Sequence, residues 1–185
     1  LHHDRDSSPK SPLQTEKFAM NAVVPKIRMG FVGGGEGAFI AQAHRQAAGL
    51  DGRFELVCGA FSRDAQNNQN TGAPLGLAAS RCYSDWQQML EAERALPVGQ
   101  RMELLVIVTP NHLHAPVAKK ALSAGFHVFS EKPAALNLAE LLALKDVVER
   151  SGRLYGLAHT YLGYPMVWQA REMVRSGVIG AVRKV

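Results

Sequence analysis

Ile27-Arg28-Met29-Gly30-Phe31-Val32-Gly33-Gly34-Gly35-Glu36-Gly37-Ala38 reads as a short apolar strand that runs into a glycine-rich turn and opens a helix. A glycine pattern in that strand-turn-helix setting is the seat of a dinucleotide pyrophosphate, whereas a bare glycine run is only a tight turn. With Gly33 and Gly35 as the first two glycines, Ala38 takes the third place, where a small side chain still lets helix and strand approach. The missing side chains open the backbone N–H groups at the positive end of the helix to an anion. Gly33, Gly34, Gly35, Glu36, Gly37 and Ala38 are therefore the expected pyrophosphate contacts; the competing reading is a structural turn without a ligand.

Outward from this turn, short apolar runs alternate with helix-type segments, the pattern of a parallel sheet covered on both faces. Strands are expected at Ile27–Val32, Phe54–Ala60, Leu104–Val108, Phe126–Ser130 and Leu154–Ala158, each nearly continuous in apolar residues, as strands buried on both faces are. Helices are expected at Ala38–Ala48, Asp64–Asn70, Asp85–Ala92, Leu113–Ala124 and Leu138–Arg150. Ser84 before Gln87 and Asn137 before Glu140 resemble capping boxes. Leu138, Leu141, Leu142 and Val148 fall on one helical face, and Gly125 and Gly152 stand where helices stop. Thr71-Gly72-Ala73-Pro74-Leu75-Gly76 is loop-like in composition. The fold class this predicts is α/β, a doubly wound parallel sheet over residues 26–158.

The ends of the chain differ from this middle. Residues 1–25 mix histidines, charges and serines without periodicity and read as a disordered leader. After Ala158, Tyr161-Leu162-Gly163-Tyr164-Pro165 breaks the alternation, a helix is expected from about Met166 to Arg175, and a strand from Val182 onward. Residues 159–185 thus read as a connecting helix and the start of a second domain that the chain does not continue.

Composition narrows the class. The 185 residues are 46% hydrophobic and 20% charged, enough for one ordinary core. The longest apolar strand runs are far short of the roughly 20 residues that cross a bilayer, so no membrane partner is expected. Two cysteines, Cys58 and Cys82, are too few for a disulfide scaffold, which points to the cytoplasm. The net charge of +5 is not gathered into one basic stripe, which argues against nucleic acid.

Three further positions carry chemistry. At the end of the second strand, where a carboxylate commonly holds the ribose 2′-hydroxyl, the chain has Phe61-Ser62-Arg63 and no carboxylate until Asp64. A hydroxyl and a guanidinium suit a 2′-phosphate, which favours NADP; NAD remains open if Asp64 reaches the ribose. Thr109, Pro110, Asn111, His112 and His114 follow the third strand and line the nicotinamide end of the same edge. Asn111 alternatively caps the next helix and His112 merely starts it. A zinc site from His112, His114 and His159 is disfavoured because no cysteine or carboxylate cluster joins them, so no metal is expected.

Glu131-Lys132-Pro133 closes the fourth strand. A lysine at a strand's carboxyl end faces the ligand crevice of an open α/β sheet, and the proline fixes the backbone beside it. Next to a cationic nicotinamide ring an amine exchanges a proton with a substrate hydroxyl more readily, which makes Lys132 the catalytic candidate. The alternative is that Lys132 pairs with Glu131 or with a phosphate. Tyr161 and Tyr164 are candidate substrate contacts or packing residues.

With these motifs in order, residues from about Ile27 to Val185 resemble the amino-terminal half of the glucose–fructose oxidoreductase, inositol dehydrogenase and rhizopine-catabolism oxidoreductase family. The resemblance implies a Rossmann half that binds NAD or NADP and a secondary alcohol of a sugar or cyclitol as substrate. Lys132 would contact the reacting hydroxyl, and the Lys132–Pro133 bond would be cis. The family's second α/β sheet domain, which supplies an aspartate and a histidine to the substrate site and forms the oligomer contacts, has no counterpart in these residues. A dinucleotide-binding module without activity of its own is the alternative function, and a nucleoside-cofactor methyltransferase a weaker one.

Overall fold

The computed structural model describes residues 25–184. The expected leader, apart from Pro25, lies outside the described residues. Five strands, β1 (Ile27–Gly33), β2 (Phe54–Ala60), β3 (Leu104–Val108), β4 (His127–Ser130) and β5 (Tyr155–Leu157), form one sheet in the order β2-β1-β3-β4-β5. All of its pairings are parallel. The helices are α1 (Phe39–Gly49), α2 (Ala65–Gly72), α3 (Trp86–Ala95), α4 (His114–Ser123), α5 (Leu138–Ser151) and α6 (Pro165–Arg175). Beyond β2, Gly59 makes a single parallel bridge to Cys82, and Tyr83 N donates to Gly59 O at 2.8 Å.

Alternate residues of the strands serve opposite layers. Leu105 and Ile107 of β3 join Cys58, Met89 and Leu90 of α3, Val117 to Leu122 of α4 and Leu144 of α5 in the larger core. Met29, Phe31 and Val106 pack with Ala41 of α1 and Phe61 on the other side. Full burial of each Leu or Ile side chain contributes about 1.5–3 kcal/mol, which is why interior β3 tolerates no polar residue. Gly30 is a strand residue by necessity of space: a Cβ there would lie 2.7 Å from both Cys58 Sγ and Met102 Sδ.

Several local expectations are corrected. Phe126 is not in β4; it is buried, and its N–H closes the end of α4 on Ala121 O. Thr71 and Gly72 belong to α2, with a short 3-10 turn at Ala73–Leu75 in place of a plain loop. Asp85, not Ser84, caps α3, because its carboxylate reaches Gln88 N while the Ser84 hydroxyl donates to the Gln88 side chain. On α5 the buried residue is Leu144, while Leu138, Leu141 and Leu142 face outward. Residues 181–184 form no strand. The helix stops at Gly125 (φ 93°) and Gly152 (φ 63°) stand where they were expected.

Candidate cofactor and active site

The strand order makes the chain leave β1 toward β2 on one side and β3 on the other, so a crevice opens at the carboxyl ends between them, the usual place for a ligand in such sheets. The glycine turn forms its floor. Gly33 and Gly34 have φ of 83° and 80°, and added Cβ atoms would stand 2.7 Å from Val108 O and 2.3 Å from Ala41 Cβ. Any other residue there meets both strain and collision. Gly37 (φ 81°) has open space beside it, as a ligand seat should. The closest helix-to-turn approach is made by Ala41, three residues beyond the Ala38 that the sequence pattern singles out.

The N-terminus of α1 is left open. Asp64, Asp85 and Asn137 cap α2, α3 and α5 with side-chain oxygens, whereas Ala38 at the start of α1 offers none. Its first-turn N–H groups and the positive end of its dipole are free for an anion. Two neighbours that sequence reasoning missed shape this seat. Asn67 Oδ1 accepts from Glu36 N at 3.1 Å, holding the turn from α2. Arg45 lies over the Phe31 ring at 5.8 Å and reaches Gly34 O at 3.5 Å; partial burial lowers its guanidinium pKa from the ordinary value. Arg45 lines a groove of about 490 Å³ with Gly35, Glu36, Gly37 and Ala38.

A second cleft of about 450 Å³ adjoins the first strand end and unites motifs that are far apart in sequence: Gly33, Ser62, Arg63, Thr109, Pro110 and His112. Ser84, Asp85 and Trp86 form its far wall, a contribution no motif announced. Asp64 is committed elsewhere: its carboxylate caps α2 through Asn67 N at 2.7 Å, and its own N–H donates to Ser62 Oγ at 3.1 Å. Thr109 Oγ1 is buried without a hydrogen-bond partner, which suits a polar ligand atom above it. Asn111 caps neither the short turn it begins nor α4.

His114 is not on the cleft surface but behind it, almost fully buried. Its Nδ1 lies 2.7 Å from Pro133 O and its Nε2 2.8 Å from Thr109 O, so the ring spans the turns after β3 and β4. Among the described residues no group of three or more His, Cys, Asp or Glu is placed to hold a metal.

Glu131 is buried, and the Lys132 ammonium forms no ion pair with it. Glu131 Oε1 is 2.8 Å from His44 Nε2 on α1, while Oε2 accepts from Lys132 N at 3.1 Å. The Lys132–Pro133 bond is cis. Glu131 N donates to Ile107 O, which continues the β3–β4 pairing to the sheet edge. Since Gly33 is level with Val108 and Ser130 with Ile107, Lys132 emerges at the carboxyl edge of the sheet two strands from the glycine turn, about 10 Å away by strand spacing, and lines neither cleft. Its side chain is exposed and enters no ion pair among the described residues. Tyr161 and Tyr164 stack edge to face with ring centroids 5.6 Å apart, are exposed, and line neither cleft.

A glycine turn in which Gly33 and Gly34 have no room for a Cβ, an uncapped helix end and an orphaned hydroxyl together fit a dinucleotide. Comparison with known proteins agrees. Residues 27–159 match the family described as an oxidoreductase family with an NAD-binding Rossmann fold. The uncharacterized oxidoreductase YfiI of Bacillus subtilis is 37% identical over 160 residues, 86% of this chain and 40% of that protein. An oxidoreductase of Sinorhizobium meliloti is 46% identical with a TM-score of 0.77, over 86% of this chain and 44% of its own. An inositol dehydrogenase homolog of Azotobacter vinelandii, solved with NADH and myo-inositol, is 36% identical with a TM-score of 0.80, over 86% and 41%. The chain thus spans about two fifths of the length of these relatives. It belongs to the glucose–fructose oxidoreductase, inositol dehydrogenase and rhizopine-catabolism family of oxidoreductases, and its sheet is that family's NAD-binding Rossmann fold.

Proposed function

We propose that this chain is the cofactor-binding part of a dehydrogenase that moves hydride between a nicotinamide dinucleotide and a secondary alcohol of a sugar or cyclitol. The observation that carries the reading is the meeting of the glycine turn, Ser62-Arg63 and Thr109-Pro110 in one cleft, with Lys132 on the same sheet edge. The A. vinelandii relative with myo-inositol supports a polyhydroxylated ring as the substrate class. When bound, the nicotinamide supplies a hydride acceptor at its C4. The open N-terminus of α1 and the glycine turn before it hold the pyrophosphate, Thr109 offers its hydroxyl to the ring end, and Lys132 Nζ, as the free amine, takes the proton that the alcohol loses as its carbon gives up hydride.

NADP is favoured over NAD. Asp64 is occupied as a helix cap, while Arg63 is exposed on the cleft wall and paired with no carboxylate among the described residues. On the same reading, residues 26–158 form the cofactor domain and 159–185 lead toward a second, substrate-binding domain that also brings oligomer contacts. Tyr161 and Tyr164 would reach substrate only through that domain. Two free, buried cysteines accord with a reducing cytoplasm. Neither nucleic acid nor membrane is a partner in this reading, and no helix among the described residues is long and apolar enough to cross a bilayer.

The exposure of Lys132 favours one second reading: the described residues bind cofactor but turn nothing over, because they build a single wall around the reacting atoms. Titration with NADH and NADPH, followed by nicotinamide fluorescence, tests both. Gly37→Asp is the control, because it places a carboxylate in open space at the anion seat and aspartate tolerates a positive φ better than most residues. Saturable binding lost in the control, tighter for NADPH, is expected. Binding unaffected by Gly37→Asp would refute the site, and tighter NADH would reverse the assignment of Arg63.

A further inference from the structure

Lys132 is aimed by a turn whose two flanks are each tied to a histidine from a different helix. Upstream, the buried Glu131 carboxylate is held at 2.8 Å by His44 Nε2 and in turn accepts from Lys132 N at 3.1 Å. Downstream, Pro133 O lies 2.7 Å from His114 Nδ1, whose other nitrogen is 2.8 Å from Thr109 O. His44 packs edge-on against Phe129 with ring centroids 5.5 Å apart, which fixes its own orientation from inside the sheet. An unbraced lysine has four rotatable bonds and a mobile backbone; here the backbone at least is clamped on both sides.

We infer that His44 and His114 are positioning residues that brace the Glu131-Lys132-Pro133 turn, His44 against the helix that begins at the glycine turn and His114 against the Thr109 wall. Neither histidine lines the cofactor clefts. They act through Lys132, so the functional part of the inference rests on Lys132 as the proton-handling group. The brace links the pyrophosphate seat, the nicotinamide wall and the lysine into one rigid frame, which is what a hydride transfer with a concerted proton transfer requires.

The molecule contains its own control for a test. Lys132 N–H donates into the brace, whereas the preceding amide, Glu131 N–H, donates to Ile107 O in the sheet ladder. Amide exchange by NMR at one pH is measured on the chain and on His44→Phe, His44→Gln and His114→Gln. His44→Phe keeps the ring against Phe129 but has no donor; exchange at Lys132 should rise about tenfold or more while Glu131 is unchanged. His44→Gln restores a donor near Nε2 and should return Lys132 toward the original rate. His114→Gln removes the ring that spans the Pro133 and Thr109 carbonyls and should also quicken Lys132, which carries the test if His44→Phe does not fold. In all variants the NADPH or NADH dissociation constant should stay within about twofold, while turnover in the complete protein falls at unchanged KM. Equal acceleration of Glu131 and Lys132, or no rescue by His44→Gln, would overturn the brace. Failure of the chain to bind either dinucleotide would remove the functional reading and leave the exchange result to decide the brace alone.

Discussion

Glu93 is a fully buried carboxylate that accepts from Arg81 Nη2 at 2.7 Å, Tyr83 OH at 2.9 Å and Met102 N at 2.8 Å. Three donors make the buried charge tolerable, and they fasten the end of α3 to the segment before β3. The same carboxylate affects its neighbours. Burial, then the hydrogen bond to Glu93 and its charge, raise the Tyr83 phenol far above the ordinary 10.0; burial followed by Glu93 raises the Cys58 thiol well above 9.0. Both folded pKa values exceed the unfolded ones, so their contribution to stability is whole below about pH 9 and is lost as pH climbs beyond the unfolded values toward the folded ones. The urea midpoint should therefore be flat from pH 7 to 8.5 and fall at about pH 10.5. Tyr83→Phe should cost about 1 kcal/mol at pH 8 and flatten part of the alkaline fall. Phenolate absorbance at an ordinary pH in the folded chain would contradict the assignment.

At the scale of elements, the cap of α5 is a reciprocal pair. Asn137 Oδ1 accepts from Glu140 N at 2.9 Å, and Glu140 Oε2 accepts from Leu136 N at 3.0 Å, one residue ahead of the usual partner. Asn137→Ala should lower the unfolding free energy by about 1 kcal/mol, Glu140→Ala by about half that, and the double variant by less than the sum, measured by chemical denaturation. This cap was legible in sequence because Asn137 starts an apolar stripe with no rival beside it. Ser84 failed as a cap because Asp85 follows it and a carboxylate one residue later reaches the same helix end. The strands were legible for a similar local reason: the buried stretches of β1, β2 and β3 are unbroken apolar, and Arg28 and Glu55 fall near the strand starts, outside those stretches. The outward side of α5 was not, since apolar residues occupy both flanks of that helix and only its contact with α4 selects Leu144. In the site, each contiguous motif could be read, but its supports could not. His44 and Glu131 are 87 positions apart, and Asn67 stands 31 from Glu36; only the folded sheet brings them together.

Taken whole, the described residues leave much apolar surface uncovered. No residue of α6 is buried, and Tyr161, Leu162, Tyr164, Met166 and Trp168 stand more than half exposed. On the sheet face beside α1, the exposed Ile27 and Leu154 line a trough of about 700 Å³ together with the buried Met29, Phe31 and Val106. Surface of this kind drives association unless something covers it. Sedimentation velocity across a range of concentrations should show reversible self-association of the chain, and Leu162→Lys with Trp168→Lys should shift it toward monomer. Because α6 buries nothing, the same double variant should change the thermal midpoint little, with an effect within about 0.5 kcal/mol. Solubility and stability would then move independently, which separates a sticky surface from a loosened core. A parent chain that stays monomeric at every concentration would mean that these side chains find cover within the 185 residues, against the arrangement in which α6 stands free.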